Sequence, residues 1–129
     1  MKYLLDTQIF LWLAMRDENV PGKMKKALEN LDNEVFFSAV SAWEIGIKCG
    51  LGKLVLPGDA LQFVPAQVAQ YQFTPLPISL IHGLAVKSLP AHHRDPFDRL
   101  LIAQAQIEGL ILMTVDRVFE QYPVRIWRN

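Results

Sequence analysis

The chain has one cysteine, Cys49, among 129 residues. A single thiol excludes an internal disulfide and fits a reducing cytosol. No histidine lies near it in sequence, so it reads as a small helix residue, not a nucleophile. Excess charge is also lacking. Thirteen basic and 13 acidic residues cancel, and nothing overall advertises nucleic acid. No apolar run approaches the roughly 20 residues of a membrane span. The start, MKYLLDTQIFLWLAM, is broken by Asp6 and has neither a basic lead nor a small-residue cleavage site, so it does not read as a signal peptide. A cytoplasmic protein with no membrane partner is expected. Phosphate-binding glycine loops, nucleophile elbows and dinucleotide fingerprints are missing. So is a zinc pattern. His92 and His93 are adjacent, a spacing that zinc sites do not favour, and they read as surface, near substrate at most.

What is present is a core. Half the residues are hydrophobic, and seven Phe, three Tyr and three Trp make disorder untenable. The length suits one domain, residues 1–129, with no repeat or linker. Apolar patterning predicts strands at Lys2–Leu5, Glu34–Ser38 and Leu110–Val115, and a last one at Val124–Trp127. Gln72–Ile78 is extended, and its two prolines suggest an edge strand or a bare connection. Helices are predicted over Thr7–Met15, Lys23–Leu31, Val40–Cys49, Leu80–Leu89 and Pro96–Glu108, with a short one near Val118–Tyr122. Asp59–Gln70 has helical composition, but Pro65 should break or kink it. Strands alternating with helices imply an α/β fold, a mainly parallel sheet with helices on both faces. Ligands of such sheets bind at the carboxyl edge of the strands.

Four acidic residues fall at that edge: Asp6, Glu44, Asp98 and Asp116. Asp6 ends the first strand and Asp116 follows the LILMTV strand, where either alone reads best as a helix cap. Glu44 shares a helical stripe with Val40, Trp43 and Ile47. An i,i+4 pair with Lys48 is worth only a few tenths of a kcal/mol, whereas taking a carboxylate out of water costs several. Asp98 shares a second stripe with Leu101, Ile102 and Ala105. It also stands at the third position of a helix that Asp95 would cap and Pro96 would open. Four such charges in a small volume would repel one another or take up protons. A hard divalent cation, Mg²⁺ or Mn²⁺, would remove the problem, and such ions suit phosphodiester hydrolysis by water.

Arg94, Arg99 and Arg117 stand beside these acids and are the cations on offer to a substrate phosphate. For each alone, a solvated surface charge is the plainer reading. Trp12 and Trp43 lie on apolar helical faces, so core packing is expected ahead of base stacking. A second possibility is that Trp12, with Ile9, Leu11 and Leu13, forms part of a groove for a second copy or a protein partner.

The pieces LLDTQIFLW, SAWEIGIKCGLGKL, RDPFDRLLIAQA and TVDRVFEQYPV resemble the PIN-domain family, specifically the VapC-type toxins of type II toxin–antitoxin systems. They occur in the family's order and span essentially the whole chain. The resemblance implies a three-layer α/β/α fold and a ribonuclease that depends on Mg²⁺ or Mn²⁺. It implies an RNA substrate, frequent homodimerisation and a cognate VapB-type antitoxin. Asp6, Glu44, Asp98 and Asp116 match the family's four acids, which hold metal and activate water. Thr7 and Thr114 fall where small hydroxyl residues support the site. Asp95 is an additional acid with either a capping or a supporting role.

The enzymatic rivals fit less well. A haloacid-dehalogenase-like phosphatase needs an Asp where Gln8 stands, and a receiver domain needs an acidic pair where Lys2-Tyr3 stands. A metal-dependent DNA nuclease shares the acidic site but generally carries extra segments. The rival from another class is a non-catalytic α/β binding protein, in which the acids are caps and surface charges.

Overall fold

The computed structural model describes residues 1–128. Its elements, in chain order, are β1 (Lys2–Leu5), α1 (Thr7–Ala14), α2 (Gly22–Glu29), β2 (Glu34–Ser38), α3 (Ala39–Gly50), α4 (Ala60–Gln70), β3 (Thr74–Leu76), α5 (Leu80–Ala85), α6 (Pro96–Glu108) and β4 (Ile111–Met113). Short 3₁₀ turns follow α5 at Val86–Ser88 and β4 at Arg117–Gln121. The strands pair in parallel in the order β3-β2-β1-β4. From β1 the chain moves outward to β2 and β3, then returns to the other flank of β1 as β4. The direction of winding therefore reverses between β1 and β4, and ligands of open α/β sheets settle at such a reversal.

Alternation along the strands divides the core in two. Tyr3, Leu5, Val35, Phe37 and Met113 pack one face of the sheet against Ile9 and Phe10 of α1 and Met24 and Leu28 of α2. Leu4 and Leu112 pack the other face against Leu101, Ile102 and Ala105 of α6 and Phe119. Helices on both faces give the three-layer α/β/α arrangement.

Several expectations need correction. α4 runs through Pro65 without a break. The missing N–H would have met the carbonyl of Leu61, a residue 84% exposed, so water can take that bond. Val124–Trp127 forms no full strand. It joins β4 by one parallel bridge, Leu112 to Ile126, flanked by hydrogen bonds of 2.8 and 2.9 Å. The helix from Leu80 ends at Ala85 and tightens into the 3₁₀ turn. Ile9, Leu11 and Leu13 are buried in the core, while Trp12 and Leu13 also line a surface hollow of about 280 Å³. Trp12 packs partly buried against the same core.

Arg99 acts as a tether. Its guanidinium donates to the carbonyls of Pro90 (2.8 Å), Val86 (3.2 Å), His93 (3.3 Å) and Leu89 (3.4 Å), and to the Tyr122 hydroxyl (3.4 Å). The same hydroxyl accepts the His93 amide at 2.7 Å. Together they pin the 86–93 segment onto α6. Arg99→Ala should cost about 2 kcal/mol or more in urea unfolding. Arg99→Lys should recover only part, because a single ammonium cannot span the fork. A lysine variant as stable as the parent would remove this assignment.

Candidate active site

β1 stops at Asp6 because the chain turns there into α1. The Asp6 amide still donates to the Met113 carbonyl at 3.0 Å, and its own carbonyl accepts from Phe10 at 3.1 Å. Its side chain makes no cap bond. Instead Asp6 is buried, and its Oδ2 accepts from the Thr114 hydroxyl at 2.8 Å. Thr114 Oγ1 in turn accepts the Asp116 amide at 3.0 Å. The cap reading therefore fails for Asp6. It holds for Asp116, which is exposed and accepts from the Val118 amide at 3.1 Å.

α3 is opened by Ser38, whose hydroxyl accepts the Val40 amide at 2.9 Å. The helix buries Val40, Ser41, Glu44 and Ile45. That face is rotated from the predicted stripe: Trp43 is 53% exposed and Ile47 38%. Ser41 shares a 2.7 Å hydrogen bond with Thr7, tying α3 to the start of α1. Glu44 is 5% exposed. Its Oε2 accepts from Lys48 Nζ at 2.6 Å, so the i,i+4 pair exists. Its Oε1 is buried with no hydrogen-bond partner among the described residues.

Asp95 caps α6 as its sequence foretold, with Oδ1 accepting the Phe97 amide at 2.8 Å and the Asp98 amide at 3.2 Å. Pro96 opens the helix, and Gly109 closes it at φ +67. Asp98, half-buried, meets His93 Nε2 at 2.7 Å. Ligand atoms of His93, Asp95 and Asp98 all lie within 4.8 Å of one another. His93, dismissed above as surface, thus belongs to the cluster. The only signal for it in the sequence was its distance of five residues from Asp98.

Asp6, Glu44, Asp95, Asp98 and Asp116 line one cavity of about 250 Å³, together with Thr7 and the half-exposed Lys48. Arg94 and Arg117 are exposed and lie outside that lining, as does Arg99. A larger hollow of about 820 Å³ between α3, α4 and β3 has no ionisable lining residue, so its size does not make it the reactive site.

The cavity is short of positive charge. Burial pushes the Asp6 carboxyl up to about 6; the Thr114 hydroxyl pulls it down, and Glu44 and Asp116 push it up. The Gln8 amide also favours the charged form, although it falls short of capping geometry. Burial likewise lifts Asp98 to about 7, opposed by the His93 hydrogen bond and reinforced by Asp95 and Asp6. The Lys48 ammonium is held protonated chiefly by its bond to Glu44. Oxygen donors, raised carboxyls and an unpartnered buried Glu44 oxygen fit a hard divalent cation.

A parallel three-layer sandwich is what comparison with known proteins also returns. Residues 3–124 match the PIN domain, and the chain belongs to that family. It is 34% identical over 61 residues to Ribonuclease VapC16 of Mycobacterium tuberculosis (strain ATCC 25618 / H37Rv), a match covering 47% of this chain and 43% of that one. The chain thus spans under half the length of this curated relative. Its fold is shared with VapBC2 from Rickettsia felis bound to a promoter DNA fragment, at TM-score 0.73 and 17% identity, covering 100% of this chain and 98% of that one. VapBC-1 from nontypeable Haemophilus influenzae superimposes at TM-score 0.63 and 18% identity, with 100% and 98% covered.

The raised carboxyls have a consequence for stability. Without metal, Asp6 and Asp98 bind protons more tightly in the folded chain than in the unfolded one. Their contribution therefore falls as pH rises from about 4 to about 7. In EDTA, Asp6→Asn should gain on the order of 1–3 kcal/mol over the parent at about pH 8 and much less at about pH 4. Equal gains at both pH values, measured by urea unfolding, would show that the charge is not the source.

Proposed function

We propose that this protein is an endoribonuclease that uses Mg²⁺ or Mn²⁺, the toxin of a type II toxin–antitoxin pair. The observation that carries the reading is the buried, unpartnered Glu44 oxygen in a cavity shared with Asp6, Asp95, Asp98 and Asp116. Family membership, the name of the ribonuclease relative and the VapBC neighbours support it. Asp6, Glu44 and Asp98 would hold the cation, with Asp116 at the rim. When bound, such an ion lowers the pKa of an attacking water and neutralises charge on the phosphate.

The remaining work falls to the chain. His93 orients the Asp98 carboxylate through their 2.7 Å contact, and Thr114 does the same for Asp6. Thr7, through Ser41, fixes α3 and hence the depth of Glu44. Lys48 both steadies Glu44 and lines the cavity with its ammonium partly exposed. It is therefore the cation best suited to meet a substrate phosphate, the role for which Arg99 is unavailable. A cognate VapB-type antitoxin and a homodimer complete the proposal.

The test compares cleavage of RNA with Mg²⁺, Mn²⁺ or EDTA. Asp6→Asn and Asp98→Asn should each lose at least about 100-fold in rate, a loss typical of removing a key electrostatic group. Their thermal unfolding should be unchanged or raised. Calorimetry should show Mn²⁺ binding that Glu44→Gln weakens. Cleavage that persists in EDTA, or no metal binding at all, would return the protein to the class of non-catalytic binding domains.

A further inference from the structure

Trp43 is the one aromatic among the large hydrophobic side chains exposed in the described residues. It stands on α3 immediately before Glu44. Phe97, partly buried, stands on α6 immediately before Asp98. The two rings meet with centroids 4.9 Å apart and planes at 74°. Their contact bridges the seam between the two helices that carry cavity carboxylates. An edge-to-face contact fixes the indole and covers at most one of its faces. Trp43 remains 53% exposed, so about half of its surface stays open to solvent.

We infer that Trp43, braced by Phe97, stacks on an unpaired base of the RNA beside the phosphate held at the acidic cavity. This rests on the ribonuclease reading above. The argument is one of matching chemistry. The residue after each ring lines a cavity suited to a phosphodiester and its counter-ion. A nucleotide carries a flat base next to that phosphate. Bases within a duplex are already stacked, whereas an unpaired base gains from an aromatic platform whatever its identity. Other exposed apolar residues do not offer this. Leu61, Leu80, Ile81 and Leu84 are aliphatic and lie on α4 and α5, which contribute no residue to the cavity. The competing occupant is a protein partner, since Ile47 is half-exposed one turn further along α3.

The test measures binding of short single-stranded RNA oligonucleotides of mixed sequence, in an Asp6→Asn background with Mg²⁺ to suppress cutting. Trp43→Leu keeps apolar bulk and should weaken binding about 10- to 100-fold. Trp43→Phe should restore most of that loss. A single abasic position in the RNA should cost the Trp43 protein a similar factor and the leucine variant almost nothing, which a merely structural role would not produce. The same RNA annealed as a duplex should not distinguish the variants. With Asp6 intact, KM for cleavage should rise more than kcat falls. Equal affinity of Trp43→Leu and its parent, or an equal abasic penalty in both, would overturn stacking while leaving the nuclease reading in place. Weakened self-association or antitoxin binding with unchanged RNA affinity would also overturn it and assign the indole to a protein surface. A parent that neither binds nor cuts RNA would remove both proposals together.

Discussion

The pairing of β1 with β4 brings together residues more than a hundred positions apart, and the acidic cavity depends on it. The Asp6 amide is bonded to the Met113 carbonyl, and the Thr114 hydroxyl to the Asp6 carboxylate, across a separation of 108 residues. Closing so long a loop has an entropic cost, which the buried apolar strands on both sides offset. Once β4 lies against β1, Asp116 is delivered to the same edge as Asp6. α3 and α6 then need only present their first turns there. The cavity follows from the topology, and the segment ahead of α6 adds His93 and the cap at Asp95.

That edge stores unfavourable electrostatics. Asp6 and Asp98 are displaced from water by their neighbours and repel the other acids. Lys48 satisfies one oxygen of Glu44 and leaves the second bare. A fold optimised for stability alone would fill such a position with an apolar side chain. The neighbouring hydroxyls aim the acids, and His93 orients Asp98. Local cost kept in place by a well-packed surround marks a site shaped by function.

Much of this was legible in the chain. Strand–helix alternation foretold the parallel sheet, and Asp-Pro at positions 95 and 96 foretold the cap and the helix start. The four acids converge as their places at strand ends and helix starts required. Other features escaped for definite reasons. The α3 stripe was turned from its true face because periodicity fixes spacing but not which edge of an apolar arc meets the core, and Trp43 came out exposed. His93 lies in a loop whose course is set by the Arg99 tether, a contact between backbone carbonyls and one guanidinium that no local pattern encodes. Pro65 is tolerated because its helix is exposed where the bond is lost. Val124–Trp127 has strand composition, yet it meets β4 at a single residue pair.

Both margins of the sheet share a property that matters once many copies occupy one solution. β3 is three residues long with Pro75 at its centre, and β4 is followed outward by that single bridge. Neither margin presents a long run of backbone donors and acceptors for another strand to extend. A chain this rich in apolar residues is thereby shielded from ladder-like polymerisation at high concentration. Association between folded molecules is then left chiefly to side chains.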